Sequence, residues 1–428
     1  MLISVLKILI FSHWKSENCY IHDNVILRCS LQLKADSGVN FWYKRVKNIP
    51  PVDLTRQHKI IDQEIESQVI KVFRSGRYIG GTAVTDFEQN FAGYLGVSHG
   101  IGCNSGTDAL YMALRALNVG EGDEVITTAF TFIATSEVIV RVGAKPIFVD
   151  LEVNGFNFDL QQVAAAITEH TKAIIAVHLF GQPVNMDDLM AIANKHQIPV
   201  IEDCAQATGA AWNGTKVGSI GVGCFSFFPT KNLGGCGDGG AVTTDDWAIA
   251  DQIRLLREHG LVRGAGAKVT YRHDLTGLNS RLDSIQAAIL DIKLRHLDSW
   301  NGQRRFAANN YTQLLENVPN IKLPQEVPGS FAVWNQYTIR IPNRNSDSSI
   351  TRDVLRNKLQ EKGVISMVYY PLPLHLQPVY QDLGYDRGIL PRTEQAAQEV
   401  LSLPMFPGIT FAEQQQVAYS LKDCLEQL

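Results

Sequence analysis

From about Ser98 onward, short apolar runs alternate with amphipathic stretches along the chain. Short apolar runs bounded by turn residues indicate buried strands, whereas apolar positions that recur at the helical period indicate helices. The predicted strands are 99–102, 124–128, 146–150, 173–178, 199–203, 224–228 and 240–244, and the predicted helices are 108–117, 135–142, 160–167 and 186–196. Strands that alternate with helices predict an α/β fold whose sheet is largely parallel and covered on both faces.

The pattern changes after about Thr276. A long helix is predicted from residue 283 to 300 and onward, followed by a mixed region with a strand at 336–341. We therefore expect a large α/β domain over residues 49–300 and a smaller α+β C-terminal domain over residues 301–428. In such sheets ligands bind beyond the carboxyl ends of the strands, so the residues that follow the strands are the candidates for a site.

Residues 1–48 show no helical or strand period, and we expect them to form a poorly ordered extension. The apolar start, Met1 to Phe11, resembles the apolar region of a signal peptide, but no basic residues precede it and no cleavage site of small residues follows it. It is also too short to span a bilayer. The sequence therefore predicts neither export nor a membrane partner.

Composition and charge exclude several classes of protein. The 428 residues carry 39 Lys and Arg against 43 Asp and Glu, a net charge of −4, so no basic surface for nucleic acid is expected. The seven cysteines form no C-x-x-C pair, which argues against a disulfide framework, a zinc site or another metal site and favours the cytoplasm. The 34 glycines need an explanation, because glycine is costly except at turns and close approaches.

Two motifs follow predicted strands in the first part of the sheet. The segment Asn104-Ser-Gly-Thr-Asp108 opens a helix, where backbone N–H groups could bind phosphate, although Ser and Asp also cap helices for structural reasons. Asp203 ends the strand 199–203. A buried carboxylate there needs a cation such as a protonated ring nitrogen, or else it caps the next segment.

Two further motifs come later in the chain. Lys231 follows a Pro-Thr turn and precedes a run of five glycines between Gly234 and Gly240, a setting that suits a desolvated, nucleophilic lysine better than a surface charge. The segment Gly277-Leu-Asn-Ser-Arg-Leu-Asp283 leads into the long helix. By spacing alone, Asn279 and Arg281 could simply cap that helix.

Together these motifs resemble the DegT/DnrJ/EryC1/StrS family of pyridoxal-phosphate-dependent nucleotide-sugar aminotransferases. Asn-Ser-Gly-Thr-Asp-Ala, Glu-Asp-Cys-Ala-Gln, Ser-Phe-Phe-Pro-Thr-Lys-Asn-Leu-Gly and Gly-Leu-Asn-Ser-Arg-Leu-Asp occur in the family's order. The resemblance covers residue 49 to the C-terminus. It implies an aspartate aminotransferase-type fold and a cofactor, pyridoxal 5'-phosphate (PLP).

The resemblance also implies roles for individual residues. Lys231 would bond covalently to PLP and then carry the proton during transfer, and Asp203 would keep the ring nitrogen protonated. The other residues implied for the cofactor site are Gln206 at the ring oxygen, Phe132 stacked on the ring, Gly106, Thr107 and Ser226 at the phosphate, and Asn279 reaching that phosphate from a neighbouring subunit. A homodimer with shared active sites follows from the last assignment.

The implied reaction moves an amino group from glutamate, or alternatively glutamine, to a keto-deoxysugar linked to a nucleotide. Family members in which histidine replaces the lysine perform dehydration instead, so Lys231 favours transamination. The tail, with Tyr369-Tyr-Pro-Leu-Pro-Leu-His375 and Leu401-Ser-Leu-Pro-Met405, resembles the branch that acts on 3-keto sugars. Asn-Ser-Arg-Leu-Asp at 279–283 also favours the 3-keto over the 4-keto position. His178 and His375 could face the sugar or could be packing residues.

Two alternatives compete with this interpretation. One is a PLP-binding regulatory protein, which would need a DNA-binding element that neither the charge nor a helix-turn-helix signature supports. The other is a nicotinamide-dependent sugar oxidoreductase on a similar α/β layout. Gly100 and Gly102 are spaced as in a dinucleotide fingerprint, but Ser105 stands at the position of the third glycine.

Overall fold

The computed structural model describes residues 48–263, 269–342 and 351–427. All of them belong to one compact unit, Arg45–Leu428. The extension predicted for residues 1–48 therefore lies outside the described residues except for Asn48. Within the described ranges, no helix is both long enough and apolar enough to cross a membrane.

The described residues form fourteen strands and twelve α-helices. The strands are β1 His99–Cys103, β2 Glu124–Thr128, β3 Lys145–Val149, β4 Thr171–Val177, β5 Val200–Asp203, β6 Ala211–Trp212, β7 Thr215–Lys216, β8 Val222–Ser226, β9 Gly240–Thr244, β10 Leu261–Arg263, β11 Val269–His273, β12 Ser330–Phe331, β13 Tyr337–Arg340 and β14 Val400–Leu403. The helices are α1 Thr55–Ser75, α2 Thr82–Leu95, α3 Gly106–Ala116, α4 Ala134–Arg141, α5 Leu160–Ala165, α6 Met186–His196, α7 Trp247–Leu256, α8 Ser284–Leu294, α9 Leu297–Leu315, α10 Arg352–Glu361, α11 Pro391–Glu399 and α12 Phe411–Glu426.

Seven strands form the central sheet in the order β1-β9-β8-β5-β4-β2-β3. The pairs β5 with β8, β4 with β5, β2 with β4 and β2 with β3 are parallel, and β9 is antiparallel to both of its neighbours. The predicted α/β fold with a mostly parallel sheet is thus confirmed. Only β9 reverses direction, because the glycine-rich loop that connects it to β8 contains no crossover helix.

Both faces of the sheet are buried. In β4, Ala173, Ile175 and Val177 pack in one apolar cluster with α3, α4 and α7, whereas Ile174 and Ala176 pack in another with α5 and α6. Successive side chains of a strand point to opposite faces, so a strand covered on both sides must be apolar at nearly every position. This explains why the strands appear in the sequence as unbroken apolar runs.

The long helix predicted from residue 283 is two helices, α8 and α9. At the junction, the N–H of Arg295 bonds to the carbonyl of Ile292 at 3.2 Å, and the N–H of His296 bonds to that of Lys293 at 3.0 Å. Bonds over three residues tighten the last turn of α8 and end its regular ladder. The apolar pattern continues across the junction, which is why the sequence predicted a single helix.

The C-terminal part has its own apolar cluster. It contains residues of α9, α10 and α12 together with the antiparallel pair β13 and β14. The first described residues join it, since Ile49 is buried in this cluster and its N–H bonds to the carbonyl of Gly363 at 2.8 Å. Residues 332–336 connect β12 to β13. They pass beside the carboxyl ends of the central strands, where the candidate site lies.

Candidate active site

A cavity of about 400 Å³ opens at the carboxyl ends of the central strands. Val177, Asp203 and Ser226 are the last residues of β4, β5 and β8, and all three line it. Parallel strands end at one edge of a sheet, so residues far apart in the chain meet there. Seven of the eight residues predicted for the site line this cavity: Gly106, Thr107, Phe132, Asp203, Gln206, Ser226 and Lys231.

The start of α3 faces the cavity beside Ser226. Ser105 caps the helix, because its Oγ accepts a 3.1 Å hydrogen bond from the N–H of Asp108. Gly106 packs so closely against β8 that a Cβ atom on it would lie 2.7 Å from Cβ of Ser226. The capping and the anion-binding interpretations of this turn are therefore compatible: Ser105 caps, while Gly106, Thr107 and Ser226 line a concave surface at a helix N-terminus, where anions are favoured.

Asp203 is a buried carboxylate that accepts two hydrogen bonds from the protein. Its Oδ2 accepts from the hydroxyl of Thr135 at 2.8 Å, and its Oδ1 accepts from the N–H of Ala205 at 3.1 Å. Burial raises the pKa of Asp203 because it penalises the charged form, while the bonds from Thr135 and Ala205 and the charge of Lys231 act in the opposite direction. A turn rather than a helix follows the residue, so Asp203 caps no helix.

Gln206 is fixed at both ends by the protein. Its Oε1 accepts a 2.8 Å hydrogen bond from the N–H of Phe180, and its Nε2 donates to the hydroxyl of Tyr370 at 3.1 Å. Phe132 lies at the mouth of the same cavity. Its ring is 56% exposed and its centroid is 6.4 Å from that of Tyr370. One face of the cavity is therefore aromatic, and its polar groups are held in fixed orientations.

Lys231 projects from a tight turn, in which its N–H bonds to the carbonyl of Phe228 at 2.9 Å. The glycine-rich segment folds back onto this turn, since a Cβ on Gly234 would lie 2.3 Å from the carbonyl oxygen of Pro229. Lys231 is partly buried and lines the cavity, so the surface-lysine alternative is wrong. Burial lowers the pKa of its ammonium group, and the charge of Asp203 partly offsets this effect.

Asn279 is the one predicted site residue that does not line the cavity of its own chain. It is exposed and forms an antiparallel bridge with Glu258. It does not cap α8 either, because the residue at the start of that helix is Asp283. Asn279 is therefore accessible on the surface of its own chain, as a contribution to a neighbouring subunit would require.

The two histidines considered for the sugar are packing residues. His178 is buried, its Nδ1 accepts from the N–H of Val184 at 3.1 Å, and its Nε2 therefore carries the proton and donates to Oε2 of Glu202 at 3.1 Å. His375 is also buried, with its Nε2 3.2 Å from Oε1 of Glu394. Neither histidine lines the cavity.

Several cavity residues were missed by the sequence analysis. Thr135 orients Asp203, Tyr370 orients Gln206, and Thr230 and Gln336 line the wall near Lys231. Thr135 sits inside α4, where a threonine carries no signal of a polar contact to another strand. Tyr370 and Gln336 reach the cavity from the C-terminal part, a placement that only the tertiary fold supplies.

Comparison with known proteins places this site in context. The model of the DegT/DnrJ/EryC1/StrS aminotransferase family matches residues 59–422. A Geobacillus stearothermophilus protein described as a pleiotropic regulatory protein is 50% identical over 88% of this chain and 98% of its own length. The UDP-N-acetyl-3-dehydro-alpha-D-glucosamine 3-aminotransferase of Acidithiobacillus ferrooxidans is 44% identical over 84% of this chain and 94% of its own.

A solved structure gives the same result for the fold. NtdA of Bacillus subtilis, crystallised with bound cofactor PMP, superposes with a TM-score of 0.80 at 32% sequence identity, over 89% of this chain and 86% of that one. The resemblance deduced from the motifs and the aspartate aminotransferase-type fold are both confirmed. The oxidoreductase alternative is wrong, because the family match assigns the chain to the aminotransferases.

Proposed function

This chain belongs to the DegT/DnrJ/EryC1/StrS aminotransferase family, and we propose that it uses PLP to move an amino group from glutamate to a keto-deoxysugar linked to a nucleotide. We favour the 3-keto over the 4-keto position. The observation that carries the proposal is the pairing, in one cavity, of a partly buried lysine of lowered pKa with a buried carboxylate, Lys231 and Asp203.

The residues present fit PLP. Gly106, Thr107 and Ser226 form the concave helix start that would hold the phosphate, and Asp203 would face the ring nitrogen. A buried carboxylate whose pKa burial has raised gains stability when a cationic N–H approaches it. When bound, PLP supplies an electron sink that stabilises negative charge on the substrate carbon.

Lys231 has the properties that proton transfer needs. Its lowered pKa increases the fraction of neutral Nζ near neutral pH, and a neutral amine can accept a proton from the substrate carbon and return it. The tight turn from Phe228 to Lys231 fixes the backbone from which this side chain extends. Gln206 and Phe132 would hold the cofactor ring in place while the proton moves, one at its edge and one against its face.

The position of Asn279 supports the proposal of a homodimer. Its exposed position outside the cavity of its own chain suits a contact with the phosphate bound in a second copy. In a twofold dimer such a contribution is reciprocal, so each site would be completed by the partner subunit. We place the dimer in the cytoplasm, where the cysteines would stay reduced.

The choice of the sugar rests on the relatives. The Acidithiobacillus ferrooxidans relative is named for a 3-amino transfer on a UDP-linked sugar, which supports the 3-keto position. The Geobacillus stearothermophilus relative is named as a regulatory protein, which keeps the regulatory alternative worth testing. The net charge of −4 disfavours direct DNA binding, so the enzymatic role is the stronger proposal.

The proposal is tested with a panel of 3-keto and 4-keto nucleotide sugars, incubated with the PLP-loaded protein and glutamate. Mass spectrometry should detect an amino sugar with at least one 3-keto substrate, and 2-oxoglutarate should accumulate in equal amount. Lys231→Ala is the control and should yield neither product. Amination of 4-keto sugars alone would overturn the 3-keto preference, and retardation of DNA in a gel without any amination would favour the regulatory alternative.

A further inference from the structure

Gln336 lies where three cavities meet. It is the residue immediately before β13, and it lines the cavity that contains Lys231. It also lines an adjoining cavity of about 280 Å³, which shares Thr230 and Tyr369 with the first, and a smaller one of about 160 Å³. Gln336 is therefore the one described residue that lines all three cavities.

The carboxamide oxygen of Gln336 is buried and has no hydrogen-bond partner among the described residues. Gln206, the other glutamine that lines the Lys231 cavity, differs in this respect, since both ends of its carboxamide are bonded to the protein. A buried carbonyl without a hydrogen-bond donor is energetically unfavourable. Because the protein does not supply the missing donor, a ligand in the cavity is the natural source.

The chemistry around Gln336 indicates which ligand group supplies this donor. Lys231 is the only lysine or arginine among the described residues that line the three cavities, and the acidic residues Glu152 and Glu326 lie on the wall of the smallest one. The carboxylates of glutamate cannot donate a hydrogen bond, and its ammonium group, which can, is the group that reacts at the cofactor. A hydroxyl group can, and a neutral carboxamide is a suitable partner for a neutral hydroxyl.

Building on the proposed function, we propose that Gln336 determines specificity for the sugar by accepting a hydrogen bond from one of its hydroxyl groups through Oε1. The residue acts in the sugar half of the reaction and not in the glutamate half. A site that hydrogen-bonds a substrate hydroxyl discriminates against analogues that lack it, because the buried carbonyl is then left unpaired.

The test compares wild-type protein with Gln336→Met, which keeps the length of the side chain and removes the amide, and with Gln336→Glu, which keeps an acceptor. In Gln336→Met, kcat/KM for the accepted keto sugar should fall about ten- to hundredfold, while the rate of the glutamate half-reaction changes by less than about threefold. Gln336→Glu should recover part of the loss. Gln381→Met, at an exposed glutamine outside the three cavities, is the matched control.

Monodeoxy analogues of the sugar identify the hydroxyl. Removing the correct hydroxyl should lower kcat/KM in wild-type protein but cause little further loss in Gln336→Met, the non-additivity expected for direct partners. The same pattern should appear in the dissociation constant of the aminated nucleotide sugar, measured by calorimetry on cofactor-free protein. Equal losses in both half-reactions, or additive losses for every analogue, would overturn the role of Gln336. Failure of the wild-type protein to aminate any keto sugar would instead overturn the proposed function.

Discussion

The hydroxyl of Thr135 donates a 2.8 Å hydrogen bond to Oδ2 of Asp203, from the first half-turn of α4 to the end of β5. The bond favours the ionised carboxylate, whereas burial of the same group raises its pKa. Thr135 thus acts through Asp203: it orients the carboxylate and helps to keep it charged in a buried position.

Replacing Thr135 with valine should weaken the reaction most at low pH. The pKa of Asp203 is already raised by burial, so its charge is lost as pH falls through that pKa, and loss of the bond from Thr135 raises the pKa further. The acid limb of the kcat–pH profile should move to higher pH in Thr135→Val, and kcat at neutral pH should fall about tenfold. Thr135→Ser keeps the hydroxyl and should behave like wild type. An unchanged acid limb in Thr135→Val would contradict this role.

Lys231 should react as an amine of lowered pKa in cofactor-free protein. Labelling with acetic anhydride across a pH series, followed by peptide mass spectrometry, gives the midpoint at which Nζ becomes nucleophilic. That midpoint should lie below 10.5, because burial lowers the pKa of Lys231. The charge of Asp203 raises it, so Asp203→Asn should move the midpoint further down. A midpoint that rises in Asp203→Asn would show that the two groups do not interact as the structure indicates.

Substitution by alanine at Gly106 and at Gly302 should change the free energy of unfolding in opposite directions. A Cβ on Gly106 would lie 2.7 Å from Cβ of Ser226, so Gly106→Ala should lower the free energy of unfolding by about 1–3 kcal/mol and weaken PLP binding. Gly302 is exposed within α9 and has nothing within 4 Å of the added atom, so Gly302→Ala should raise the free energy of unfolding by about 0.5–1 kcal/mol. Urea denaturation and equilibrium dialysis with PLP measure both effects. Weaker PLP binding in Gly302→Ala would be contrary to this account.

Much of the fold and site follows from the sequence, because the informative residues stand next to strands. Asp203 ends an apolar run whose length identifies it as a buried strand, and Gly106 opens the helix after another. Ser226 lies within the predicted strand 224–228, and the structure makes it the last residue of β8. Residues at the carboxyl ends of parallel strands can be assigned to the site without knowledge of the tertiary contacts, since parallel strands bring these ends together. The glycines that were in surplus by composition have a role for the same reason: Gly106 and Gly234 stand where the backbone or a neighbouring strand leaves no room for a Cβ.

The remaining site residues could not be predicted because they depend on distant packing. Tyr370 and Gln336 enter from the C-terminal part. Nothing in the local pattern separates Gln336 from core residues, and the motif that contains Tyr370 does not indicate its contact with Gln206. The break between α8 and α9 was also missed, since the apolar pattern runs through Arg295 and His296 while the hydrogen bonds change. The apolar pattern of the sequence indicates which face of a helix is buried. It does not indicate where the helical hydrogen bonds are interrupted, or which polar side-chain atom lacks a hydrogen-bond partner.

The exposure of Asn279 leads to a prediction about subunits. If Asn279 completes the partner's site, Lys231→Ala and Asn279→Ala should each be weakly active or inactive alone, yet form active mixed dimers. One of the two sites in a mixed dimer then combines Lys231 of one copy with Asn279 of the other, and the second site carries both substitutions. Random mixing at equal amounts should recover about a quarter of wild-type activity, because about half of the dimers are mixed and half of their sites are intact. Mixing after separate refolding, with activity followed as subunits exchange, measures this recovery. If Asn279 served its own chain, both sites of every mixed dimer would carry one substitution and no recovery would occur.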